Sequence, residues 1–278
     1  MSSATAIVPE KIKNSSGQQH WYGLPERQKD SVVDQVVEYT GKSFGAYRSL
    51  RLLGTTAEAA SMVLKDLGYK EAKSFGHFAG LMGKGAAAMT FPRIPLVLRD
   101  MRDAIKTWGQ PTGGPEGSVT RGYYDGVHKV ADATATCGYA LSLAMGSVPI
   151  RNMADVACFV SDITDACMES QVYSLAQRYK EKTSSPELKK RYEETGTEAL
   201  LKIAKVVCSI VSGVLGLLVL ALGGPVVPAA ILLIIGLAGT IFAMASYFYR
   251  ENCNYERVEF HKWGGVEQLH DGARVRFN

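Results

Sequence analysis

From Val206 to Tyr249 the sequence carries no charged side chain: VVCSIVSGVLGLLVLALGGPVVPAAILLIIGLAGTIFAMASYFY. One helix crosses the roughly 30 Å hydrocarbon core of a bilayer with about 20 apolar residues. The run is too long for one such crossing and suits two. Gly223, Gly224, Pro225 and Pro228 interrupt it at its middle, and Gly with Pro ends a helix and favours a tight turn. The pattern predicts a helix over Val206–Leu222, a turn over Gly223–Pro228 and a returning helix over Ala229–Tyr249. The other way to fold such a run is as the buried helical pair of a soluble protein. Core helices of that kind usually keep a polar edge. Here only Cys208, Ser209, Ser212, Thr240 and Ser246 break the apolar surface. Each can bond its own helix backbone, so the membrane reading is preferred.

The flanks add orientation. Lys202 and Lys205 precede the first predicted span and Arg250 follows the second, whereas the turn carries no charge. Lys and Arg are retained on the cytoplasmic side of membranes, so these three residues are the expected anchors, and both chain ends are expected in the cytosol. Tyr247, Phe248 and Tyr249 stand where an interfacial aromatic belt would lie.

The rest of the chain is polar and reads as helical. The expected organisation is a disordered start over 1–30 and a helical cytosolic region over 31–200, with a loop near 110–118. The transmembrane helical hairpin over 201–250 and a cytosolic tail over 251–278 follow. The fold class expected is all-α. Ser31 can cap a helix with an apolar stripe of Val32, Val33, Val36 and Val37, and Thr55 with Glu58 repeats that start signal before a stop at Gly68. Ser74–Phe91 is a small-residue helix whose Gly76 and Gly80 permit close packing or self-association. Its minority reading is a segment in the membrane interface. Leu96–Trp108 places Val97, Met101, Ile105 and Trp108 on one face and charges on the other. After the Gln110–Ser118 linker come helices over Tyr123–Met145 and Asn152–Lys182, separated by Pro149. Ser185, Pro186 and Glu187 start a helix that runs through Gly196 into the first span. The segments VEFHKW and ARVRF alternate in polarity, which suits a small β-hairpin.

Composition limits the chemistry. The net charge of +4 is mild and dispersed; it suits anionic lipid headgroups and does not argue for nucleic acid. The five cysteines, Cys137, Cys158, Cys167, Cys208 and Cys253, show neither a disulfide framework nor zinc spacing. Gly83-Lys84-Gly85 fails as a phosphate-binding loop, with Phe78 where a Gly is needed and Gly85 where a Ser or Thr is needed. His20, His77, His128, His261 and His270 lack ligand spacing, and no GxSxG elbow is present. Asp155, Asp162, Asp165 and Glu169 make a loose acidic stripe, read as a solvated edge in preference to a cation site. No enzyme activity, cofactor or metal is expected.

The N-terminal MSSATAIVPEKIKNSSGQQ has no apolar core, so it is not a classical signal peptide. It reads as a frayed terminus, or as an uncleaved type III secretion signal of bland Ser/Thr-rich composition. Together with a bilobed apolar hairpin whose flanks share one side, this layout resembles the inclusion membrane proteins of Chlamydia. The resemblance rests on Val206–Tyr249 and the N-terminal composition alone. It implies secretion into a host cell and insertion into a vacuole membrane. It further implies an effector role in which Ser31–Leu200 binds host proteins. The two other readings are a membrane-shaping protein, with Leu96–Trp108 wedged in one leaflet, and a soluble all-α protein with Val206–Tyr249 as its core. Lipid bilayer and host proteins are the partners expected, with self-association through the small-residue helix faces.

Overall fold

A computed structural model describes residues 30–106, 108, 118–222, 228–258, 267–270 and 273–276. Its helices are α1 (Val32–Gly41), α2 (Ser43–Asp66), α3 (Ala72–Ala88), α4 (Ile94–Lys106), α5 (Ser118–Met145), α6 (Val148–Lys182), α7 (Pro186–Leu222) and α8 (Ala229–Asn252). A single 3-10 turn, Phe91–Arg93, leads into α4. Strands β1 (Glu267–His270) and β2 (Ala273–Arg276) pair antiparallel with Glu267 opposite Arg276. The second strand lies in the expected ARVRF segment, but its partner is Glu267–His270. Most of VEFHKW lies outside the described residues.

Local signals set several boundaries as anticipated. The Ser31 hydroxyl accepts the Asp34 amide at 3.2 Å and caps α1. Gly68 ends the α2 region with φ +79°, a left-handed conformation that glycine adopts without Cβ strain. Other signals lose to packing. Thr55 does not start a helix, because α2 runs unbroken through it and its hydroxyl donates to the Arg51 carbonyl at 2.6 Å. Pro149 does not separate α5 from α6. It sits in the first turn of α6, where a missing N–H costs nothing, and the chain reverses at Gly146 with φ +65°. The valine stripe of α1 faces outward, and Gln35 with Tyr39 is the buried pair.

Cross-helix contacts give the registers. On α6 and α7, Lys180 pairs with Glu193 at 3.4 Å and Asp165 with Lys205 at 3.2 Å, so the two helices are antiparallel. Farther along, a Cβ placed on Gly213 would stand 2.9 Å from the Phe159 ring. On α5 and α6, the Tyr139 hydroxyl donates to Asp155 at 2.6 Å and His128 meets Ser161 at 3.0 Å, again antiparallel. On α7 and α8, Glu198 meets Arg250 at 3.2 Å, and Cys208 crowds Gly239. Helix α2 joins them through Arg48, which donates to the Ala243 carbonyl at 3.1 Å, and α1 through Tyr39, whose ring lies 4.6 Å from that of Tyr247.

The aromatic-aliphatic core occupies one end of this assembly. Val172, Ala176, Tyr179, Leu188, Tyr192, Ala199 and Val258 form it. They come from the C-terminal half of α6, the N-terminal half of α7 and the tail. The apolar half of α7 lies beyond that core.

Candidate functional site

Among the described residues, two helices are long and apolar enough to cross a membrane, over Pro186–Gly216 and Ala230–Asn252. Only 11% and 17% of their most apolar stretches are buried within the protein. On α7, Val207, Val211, Val214 and Leu218 repeat at helical spacing, and all are exposed. On α8, Ile231, Ile234 and Ile241 are exposed likewise. A soluble core helix buries such a stripe; these two turn it outward.

Polar atoms in the same stretch face inward or close on their own helix. The Thr240 hydroxyl donates to the Gly236 carbonyl and the Ser246 hydroxyl to the Ala243 carbonyl, each at 2.9 Å. Ser209 departs from that expectation and donates across to the Asp162 carboxylate on α6. Of the turn residues, Gly223, Gly224 and Pro225 lie outside the described residues. Pro228 is the N-cap of α8 in an extended conformation, and its carbonyl accepts the Ile231 amide at 2.9 Å.

The three expected anchors meet at one end of the α7–α8 pair, and each is held by a carboxylate. Lys202 reaches Glu198 at 2.8 Å, Lys205 reaches Asp165 at 3.2 Å and Arg250 reaches Glu198 at 3.2 Å. A fourth cation, Arg257 from the tail, binds Glu198 at 2.7 Å and Glu169 at 2.6 Å. Glu198 is only 3% exposed. Burial alone would raise its pKa, but Lys202 and Arg257 outweigh burial and hold it below the ordinary carboxylate value. Burial would likewise lower Arg257, and Glu169 with Glu198 reverses that effect.

The segment after α8 is laced onto α7 by a further acid, Glu194, and a hydroxyl. Glu194 accepts the amides of Asn254 and Tyr255, both at 3.0 Å, and Thr195 accepts that of Val258 at 3.1 Å. Sequence reasoning missed this collar. The one local trace of it is the spacing of Glu194, Glu198 and Lys202, one helical turn apart. Its other members are distant in sequence.

Beside the collar is a recess of about 210 Å³ lined by Arg48, Arg51, Arg93, Asp132 and Lys205 among others. Arg48 stacks on Phe44 with its guanidinium carbon 3.6 Å from the ring centroid, and burial pushes its pKa down to about 10. Arg93 sits over the same ring and 3.6 Å from Asp132. The recess holds cations and hydroxyls with no nucleophile paired to a histidine. His128 bonds to Ser161. The acidic stripe is consumed by structural pairs: Asp155 with Tyr139, Asp162 with Ser209, Asp165 with Lys205 and Glu169 with Arg257. Among the described residues no group of three His, Cys, Asp or Glu side chains could hold a metal ion.

Helix α4 is differently used than its pattern implied. Val97 and Ala104 are buried, Ile105 is exposed, and the Trp108 ring lies against Gly126 of α5. The stripe is divided between a packed and an open side, which leaves less apolar face for a leaflet. On α3, Gly76 lies close to Ser61, whereas a Cβ on Gly80 would meet nothing within 4 Å, so the two glycines do not act as one packing face within the chain.

No protein-family model, curated protein or solved structure matches the chain.

Proposed function

We propose that this chain is a membrane-anchored helical display protein. In this reading the apolar half of α7 and Ala229–Tyr249 of α8 cross the bilayer as a hairpin, with both flanks in the cytosol. The observation that carries it is the set of exposed apolar side chains on α7 and α8, Val207 to Leu218 and Ile231 to Ile241. Burying such surface in hydrocarbon gains about 25 cal/mol per Å². Gathering of Lys202, Lys205 and Arg250 at one end of the pair supports a common side for the flanks.

The wider reading follows the resemblance to inclusion membrane proteins: a type III secreted effector in a host vacuole membrane, whose cytosolic helices bind host proteins. The anchor fixes where the helices act, and partner choice belongs to their surfaces. The test has two parts. Alkaline carbonate should leave the full chain in the membrane pellet, and protease added from the cytosolic side should remove both N- and C-terminal tags. Release by carbonate would return the chain to the soluble class. A reporter carrying about the first 20 residues, the length assumed for an uncleaved leader of the kind discussed above, should be exported by a type III apparatus. Its retention would remove the secretion assignment and leave the anchor standing.

A further inference from the structure

Hydropathy assigns two helices to the membrane, and the packing registers place two more beside them. Asp165 faces Lys205 and Phe159 faces Gly213, so Val148–Asp165 of α6 runs alongside the apolar half of α7. Helix α5 follows α6 through the Tyr139–Asp155 and His128–Ser161 contacts. Its last four turns therefore occupy the same level.

The outward faces change character at that level. On α6, Met153, Val156, Val160 and Ile163 are exposed and apolar; farther along, Ser170, Ser174, Arg178 and Glu181 are exposed and polar. On α7 the order is mirrored. Glu187, Lys190 and Glu193 are exposed at the polar end, and Leu200, Val207, Val211, Val214 and Leu218 at the other. Because Asp165 is opposite Lys205, the two switches fall at one height, within a turn or two. On α5 the Lys129–Asp125 pair lies near that height, and Leu141, Leu143 and Met145 are exposed beyond it.

Carboxylates at this depth point the other way. Asp162 takes the Ser209 hydroxyl from α7, and Asp132 pairs with Arg93. Apolar outside with acids turned to neighbouring helices is the arrangement hydrocarbon selects. On this part of α6 two charges remain exposed, Arg151 and Asp155. Arg151 lies in the first turn of α6, where it can extend toward headgroups; Asp155 lies near the middle of the stretch and accepts the Tyr139 hydroxyl.

We infer that the α5–α6 reversal is itself membrane-embedded, and that lipid acyl chains cover the Met153–Ile163 face and the end of α5. This rests on the α7–α8 anchor and deepens it: the embedded unit takes in the α5–α6 reversal beside α7–α8, with the core of Val172, Tyr179 and Tyr192 held outside the bilayer. The stretch from Val148 to Ile163 is about 24 Å long at 1.5 Å per residue, close to the hydrocarbon thickness and satisfied by slight bilayer thinning.

The test places one bimane-labelled cysteine at a time on the full chain, in a background with the five native cysteines replaced. The variants are Val160→Cys, Val156→Cys, Val211→Cys and Ser174→Cys, in phosphatidylcholine vesicles with and without brominated acyl chains. All four sites are exposed or nearly so, and a retained thermal transition confirms folding of each. The expected result is quenching at Val160→Cys and Val156→Cys within about twofold of that at Val211→Cys, with little at Ser174→Cys. Quenching at Val211→Cys alone, with unlabelled Val160→Cys open to a membrane-impermeant maleimide, overturns the embedding of α5–α6 and leaves the two-helix anchor intact. Air-oxidised disulfide dimers of unlabelled Val160→Cys, with no quenching of the labelled variant, would assign the face to a second copy and overturn it equally. Absence of quenching at all four positions removes the anchor itself.

Discussion

Glu198 on α7 binds Arg257 of the tail at 2.7 Å, across a separation of 59 positions in sequence. The same carboxylate also holds Lys202 and Arg250. One acid, 3% exposed, therefore ties the first apolar helix, the end of the second and the segment that follows. Replacing it by alanine leaves three cations around an empty, half-buried space. Removing one partner of a buried ion cluster costs about 3–5 kcal/mol. Glu198→Ala should lower the thermal midpoint of the detergent-solubilised protein by several degrees, and Glu198→Gln should lower it less. An unchanged midpoint for Glu198→Ala would show that the tail is held by other contacts.

The same site sets a pH dependence. The folded-state pKa of Glu198 is depressed below its ordinary value of 4.5. A depressed acid contributes stability that is complete above the unfolded pKa and is lost as pH falls through the folded one. Stability of the parent protein should therefore fall more steeply below pH 4.5 than that of Glu198→Gln, and the two should run parallel above it. Denaturation midpoints from neutral pH down to about 3 decide this; parallel curves throughout would remove Glu198 as a contributor.

Tail docking also depends on a neutral hydrogen bond. The Thr195 hydroxyl, fully buried, accepts the Val258 amide at 3.1 Å. Thr195→Val keeps the shape and orphans that amide, a loss of about 1–3 kcal/mol. Because the amides of Asn254 and Tyr255 keep Glu194, the effect should be local. Hydrogen exchange at Val258 should accelerate markedly in Thr195→Val while amides in the middle of α7 keep their protection. Equal acceleration in both would mean that the substitution loosens the helices themselves.

How far the sequence discloses all this depends on the range of the interaction. The apolar run over Val206–Tyr249, the Ser31 cap and the Gly68 stop are local, and composition with spacing is enough to read them. The continuity of α2 through Thr55 is not local in that sense, since a threonine can cap a helix or bond back to the Arg51 carbonyl. Packing of α2 on α3, where Gly54 lies against Met82, accompanies the second choice. Pro149 is a similar case: a breaker and a first-turn residue look alike until the reversal at Gly146 is known. The collar escaped because Glu169, Glu198, Arg250 and Arg257 come from four parts of the chain. The character of α6 escaped because Asp155, Asp162 and Asp165 depress its hydropathy, although two of them are directed to α7. A carboxylate reads as a solvated edge unless the hydroxyl or ammonium opposite is visible.

Close approach of α6 and α7 hinges on Gly213. A Cβ there would stand 2.9 Å from the Phe159 ring, nearer than van der Waals contact allows. Gly213→Val must push Phe159 aside or part the helices, and overpacking of this kind costs about 1–3 kcal/mol. The Asp162–Ser209 and Asp165–Lys205 contacts lie within two turns of it and would be strained with it. Phe159→Ala supplies the missing space but alone removes the ring from its contact with α7. The expectation is compensation: Gly213→Val and Phe159→Ala each lower the thermal midpoint in detergent, and the double variant loses less than the two single losses added together. Strict additivity would place the effect of Gly213→Val in the backbone of α7 and take the helix contact out of account.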